Sequence, residues 1–175
     1  AITSTLFISF LPLFGFGIAV QTLVGNNLGA GKFNLAKIYG FETAKVATIY
    51  TILLGIIFIS IPQYVLLIVT NDWGIINFAS PALRIAGFAQ IFYATGVVLA
   101  NALQAGGRTV FVMKSEVVTN LFIFVPLAYL FGVVLDMGLM GAWLALPIYV
   151  IIYSSSIFYK YNSPDWHIEI PMKLN

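Results

Sequence analysis

The chain has 175 residues, 61% apolar and 8% charged, with a net charge of +2 and a mean hydropathy of +0.99. Soluble domains are roughly half apolar and a quarter charged, so this composition excludes a soluble core under a polar surface. With no cysteine and one histidine, His167, it also leaves no thiolate or disulfide site, zinc site or Ser-His-Asp triad.

A spanning helix needs about 20 residues to cross about 30 Å of hydrocarbon. On that measure the sequence predicts spans at about 2–25, 42–70, 78–104, 111–134 and 138–160, with a polar tail at 161–175. The fold class expected is an all-α integral membrane protein, a polytopic bundle of about five transmembrane helices.

The first span has no basic flank before it and no cleavage site after it, so it is not a removable signal peptide. The chain opens at Ala1 inside the apolar run, which reads as a piece of a longer polypeptide whose upstream helices are missing. Pro12, close to Gly15 and Gly17, predicts a bend at mid-span, and Gln21, Asn26 and Asn27 mark the far end. Gly25-Asn-Asn-Leu-Gly29-Ala-Gly31-Lys32 superficially resembles a phosphate loop. It fails, because Asn26 stands where the first Gly is required and Phe33 where Ser or Thr should bind magnesium. Gly29 and Gly31 instead read as a helix stop and a tight turn.

In the second span, Glu42 and Lys45 are three apart and predict a surface ion pair, and Pro62 falls late in the helix. The third span carries Arg84 about one turn in, placed to snorkel or pair. Farther along, Gln90, Tyr93, Val97, Asn101 and Gln104 follow steps of three, four, four and three. At about 100° per residue they fall within roughly an 80° arc, one polar stripe on an apolar helix. Amides in hydrocarbon need partners, so the stripe either lines a substrate cavity or glues helices together.

In the fourth span Glu116 and Asn120 share a face, with Thr119 beside them. Glu116 is either a proton or cation site, or an anchor salt-bridged to Lys114 and Arg108 near the helix start. Pro126 in the fourth span and Pro147 in the fifth add bends. Small residues four apart (Gly15 and Ala19, Gly25 and Gly29, Ala82 and Ala86, Gly96 and Ala100, Gly138 and Ala142) predict close helix packing. Trp73, Trp143, Trp166, Tyr64 and Tyr161 fall near the predicted interfaces, as an aromatic belt would.

Threaded through a bilayer, Lys32, Lys37, Lys45, Arg108, Lys114, Lys160 and Lys173 fall on one side, while Asp72 and Asp136 mark the other. The positive-inside rule puts the basic side and the C-terminus in the cytoplasm and the N-terminus of this chain outside.

Taken together, Gly15-Phe-Gly17-Ile-Ala-Val-Gln21-Thr-Leu-Val-Gly25-Asn-Asn-Leu-Gly29-Ala-Gly31-Lys32, followed by Ala36, resembles the helix-and-loop signature of the multidrug and toxic compound extrusion (MATE) transporters. Ala82-Leu-Arg84-Ile85 is similar to that family's Leu-Arg-Ile element. Ala102-Leu-Gln-Ala-Gly106-Gly107-Arg108-Thr109 resembles its Ala-Leu-Arg-Gly-Ala-Gly-Asp-Thr turn, with Arg108 where Asp is usual. The resemblance covers about residues 5–160.

It implies one incomplete lobe of a two-lobe, twelve-helix transporter, helices eight to twelve, with the N-terminal lobe and the first helix of this lobe as missing partners. The implied activity is export of amphipathic organic cations in exchange for Na+ or H+, by alternating access in a plasma membrane, that of a bacterial inner membrane. Gln90, Tyr93, Val97, Asn101, Gln104 and Phe14 are the expected cleft residues, with Phe92 nearby. Glu116, Asn120, Arg84 and Gln21 are the expected ion-binding or structural polar groups, and Pro12 and Pro126 the hinges. Tyr93 stands where some members place a coupling carboxylate. Beyond the coupling ion no cofactor or metal is implied; lipid is the expected surround, and no nucleic acid is expected.

Two alternatives remain. A lipid-linked sugar flippase of related fold would line its cleft with several Arg and Lys for a pyrophosphate, and only Arg84 lies at depth. A non-transporting assembly subunit or gene fragment is the other. An intramembrane enzyme lacks a nucleophile–base or metal constellation.

Overall fold

The computed structural model describes residues 2–168, with side chains from Phe10 onward. It is a bundle of helices: α1 (Ile2–Gly29), α2 (Phe33–Ser60), the short α3 (Pro62–Leu67), α4 (Trp73–Ala105), α5 (Thr109–Val134) and α6 (Gly138–Asn162). No strand occurs among the described residues. Four of these helices, α2, α4, α5 and α6, are long and apolar enough to cross a membrane. The 28-residue α1 packs beside them, against α2 and α4.

Turn chemistry sets the boundaries. At the end of α1 the Lys32 N–H bonds the Asn27 carbonyl (2.8 Å) and the Gly31 N–H bonds that of Leu28 (3.0 Å), with Gly31 at φ +72°. At the end of α4, Arg108 bonds Leu103 (2.9 Å) and Gly107 bonds Gln104 (3.0 Å), with Gly107 at φ +82°. Both are Schellman turns, in which a left-handed glycine lets the last carbonyls find donors. The first is so tight that only residues 30–32 separate the helices, so α2 starts at Phe33, well before the expected position 42. Pro62 does not lie within α2. The helix stops at Ser60, and Pro62 opens α3, where its missing N–H costs nothing. Asp72 caps α4, its carboxylate accepting from Gly74 N–H (2.8 Å) and Ile75 N–H (3.3 Å).

α4 is the hub. It packs on α1, α2, α3, α5 and α6, and 56% of its most apolar stretch is buried, against 6% for α5. Small residues allow the crossings. A side chain at Gly55 would meet the Gly87 carbonyl, and one at Gly96 would meet Ser154. At Gly15, Gly25, Gly29 and Gly138 nothing among the described residues lies within 4 Å, so those pairs make no close approach here. Polar groups stitch the same contacts: Thr48 to Thr95 (2.7 Å), and the Ser154 hydroxyl to the Phe92 carbonyl (2.8 Å).

Past α6 the chain folds back under the basic end of the bundle. Trp166 is buried against Tyr161, and His167 stacks on Phe33. Trp166 and Tyr161 are therefore core residues rather than a membrane belt, whereas Trp73 and Tyr64 are exposed. The Ile168 N–H reaches the Gly106 carbonyl (2.8 Å). Asp165 takes Lys160 at 2.6 Å and Arg108 at 3.6 Å. The Lys160 ammonium, helped by the Ser163 hydroxyl, pulls the Asp165 carboxyl down to about 2.

Candidate functional site

A cavity of about 290 Å³ opens between α4 and α6 near the middle of α4, lined by Ala86, Ala89, Gln90 and Tyr93 of α4 and by Trp143, Leu146, Tyr149 and Val150 of α6, with Phe10 of α1. Small residues at 86 and 89 make the hollow, and rings supply its walls. Phe10 packs on Tyr93 with ring centres 5.6 Å apart. Pockets for apolar ligands have this character, with few polar groups to fix orientation.

The expected stripe divides in two. Gln90 (2% exposed) and Tyr93 face the cavity. Asn101 and Gln104, about three turns further on, serve packing: the Gln21 amide of α1 donates to Asn101 Oδ1 (2.9 Å) and Gln104 Oε1 (3.2 Å). Asn101 also donates to the Val97 carbonyl (2.8 Å). The stripe thus divides between a cavity wall and a helix contact, and Val97 is half-buried between them.

Phe14 does not join the site. It is 58% exposed, and Phe10, one turn earlier, takes the place expected of it. Phe92 points to a separate surface hollow beside Ser154 and Phe158. Arg84 lies exposed on α4, with no ion pair among the described residues. Pro12 sits within an uninterrupted α1. Pro126 lies between two π-helical turns of α5, Asn120–Phe124 and Leu130–Val134. Trp143, expected at an interface, lines the cavity.

Glu116 makes no salt bridge among the described residues. Its Oε1 accepts the Tyr149 hydroxyl at 2.8 Å, and the ion pairs expected with Lys114 and Arg108 are absent among the described residues. Tyr149 and Tyr153 stack in parallel on α6 (6.2 Å). Sequence reasoning missed Phe10, Tyr149 and Tyr153. The two tyrosines, four apart in an apolar helix, were the available signal. Glu42 and Lys45 do pair, at 2.6 Å on the surface.

Comparison with known proteins settles the family. The MatE family model matches residues 1–130. The chain belongs to the MatE family. Among its relatives, Thermotoga maritima "Probable multidrug resistance protein NorM" is 27% identical over 91% of this chain and 34% of that protein. Mouse "Multidrug and toxin extrusion protein 2" is 28% identical over 79% of this chain and 24% of its own length. Human "Multidrug and toxin extrusion protein 1" is 24% identical over 74% and 23%. The chain thus spans about a third or less of the curated relatives it matches. No solved structure matches it. A MatE chain of apolar helices is a multi-pass membrane protein.

Proposed function

We propose that this chain forms one lobe of a secondary active multidrug antiporter, exporting amphipathic organic cations in exchange for Na+ or H+ by alternating access. The observation that carries the reading is the aromatic cavity at the middle of α4. Phe10, Tyr93, Trp143 and Tyr149 surround a space suited to a flat apolar body, and ring faces attract a cation by about 0.5–2 kcal/mol each. Binding near mid-membrane, where opening to either side is equally easy, is what alternating access requires. The names of the relatives support the cargo class, and the π-turns flanking Pro126 give α5 a place to bend. The bundle end that gathers Lys32, Lys37, Arg108 and Lys160 would face the cytoplasm of a plasma membrane, with a second lobe completing the cleft. Among the described residues no Arg or Lys lines the cavity, which weighs against a flippase for pyrophosphate-linked sugars.

Gln90→Leu with Tyr93→Phe in the complete gene product tests this reading. Efflux of ethidium from cells is expected to fall roughly tenfold, the scale of a lost charge-assisted hydrogen bond, with membrane abundance unchanged. Abundance falling in parallel with efflux would make the two residues packing groups and defeat the proposal.

A further inference from the structure

A second cavity, of about 480 Å³, lies at the basic end of the bundle between the two glycine turns and the tail. Gly25, Gly29 and Gly31, at the end of α1, line one side, and Gly106, His167 and Ile168 line the other. The two sides are held very differently. The tail sits closely on the α4–α5 turn: a Cβ at Gly106 would lie 3.1 Å from the Cβ of His167, and one at Gly107 3.2 Å from Ile168. The Ile168 N–H bond to Gly106 and the Asp165 pairing with Arg108 fix it there. On the α1 side, a Cβ at Gly25, Gly29 or Gly31 would meet nothing within 4 Å among the described residues. Val24 is the last fully buried residue of α1, and residues 29–32 are exposed.

We propose that this cavity is the working room of a latch. The last turns of α1, from Gly25 to Gly31, close across it onto His167 and Ile168, pivoting where Gln21 clasps Asn101 and Gln104. The fixed side is built to receive them. Both ring nitrogens of His167 are buried and have no hydrogen-bond partner among the described residues. A buried N–H left unpaired costs free energy until it finds an acceptor. A helix end carries carbonyls with no intrahelical partner, and Gly29 presents the end of α1 at this same cavity. Closure, with a turn of the imidazole, brings its N–H to such a carbonyl. It also puts Leu28, which lines the cavity, against Ile168 and out of water. The His167 ring is already oriented, because it stacks on Phe33 at 4.9 Å and 23°. The moving side suits the task as well. Glycine holds a helical backbone less firmly than residues with side chains, and Gly25 and Gly29 put no side chain in the way of a close approach.

The 175 residues include no cysteine, so introduced pairs report cleanly on approach. The test uses the complete gene product in native membranes, with any cysteine outside these residues replaced. A mild oxidant is added and disulfides are mapped by peptide mass. A disulfide needs β carbons about 3.5–4.5 Å apart. Gly106→Cys with His167→Cys joins groups already close, and its expected link shows the tail seated. Gly29→Cys with Ile168→Cys spans the cavity and is expected to link through closure. Gly15→Cys with Ile168→Cys, about 20 Å farther along α1, sets the background. His167→Phe, added to the cavity-spanning pair, keeps a ring on Phe33 but removes the nitrogens, and should slow linking several-fold. Linking of the cavity-spanning pair no faster than background, with the Gly106 pair linked, would overturn the proposal. So would a Gly106 pair that does not link, since the tail would then not be the fixed side. Unchanged linking with His167→Phe would overturn it too. Should Gly29→Cys disturb folding, Gly25→Cys on the same face takes its place with the same expectations.

Discussion

Gln21 shows how one side chain can hold two helices in register. Its amide spans from α1 to Asn101 and Gln104 of α4, and all three groups are partly buried. Gln21→Leu would leave two acceptors without that donor, which costs about 1–3 kcal/mol. The expected outcome is a lower thermal unfolding midpoint in detergent, with the shape of the α4–α6 cavity retained. The same residues show why the site was only half legible in the sequence. Spacing located the stripe on α4, but could not divide it into a cavity half and a packing half, because that depends on which neighbour lies opposite. Glu116 lies near Lys114 and Arg108 in sequence, which suggests an ion pair. On a helix, however, two residues apart means about 200° around the axis, so Lys114 points away. Arg108 is held by Asp165 of the tail, a contact no local pattern announces.

At the scale of elements, α5 and α6 approach through glycine. A Cβ at Gly141 would meet the backbone carbonyl of Phe131, inside the second π-turn of α5, and backbone cannot step aside as a side-chain tip can. Gly141→Ala is therefore expected to destabilise by about 1–3 kcal/mol, the usual cost of overpacking. Gly15→Ala has open space and should be neutral or gain up to about 1 kcal/mol of helix propensity. Thermal denaturation of both variants checks the contrast. The five long helices and the glycine turns were legible because apolar length and left-handed glycine are local signals. Which face of each helix points inward was not. In a soluble helix the polar face gives the phase, but here lipid-facing and core-facing residues are equally apolar. Phe14 and Phe10 were indistinguishable on that ground, and only packing puts Phe10 against Tyr93. The polar residues around Phe33 read as loop, which would start α2 later than the structure does. A Schellman turn closes the connection in three residues.

For the molecule as a whole, α4 forms the axis, α1, α2 and α6 pack around it, and α5 is attached mainly through α6. The folded-back tail ties the helix ends at the basic side, through Trp166, Asp165 and Ile168. α5 is the least packed of these helices, with 6% of its most apolar stretch buried, and under the proposed function it is the element expected to move. Photolabelling with an azido derivative of tetraphenylphosphonium, followed by peptide mapping of the complete gene product in native membranes, tests this account most directly. The account predicts label on Tyr93, Trp143 or Tyr149, suppressed by excess unlabelled tetraphenylphosphonium. Label confined to outward-facing residues such as Phe122 and Tyr159, insensitive to competitor, would contradict it.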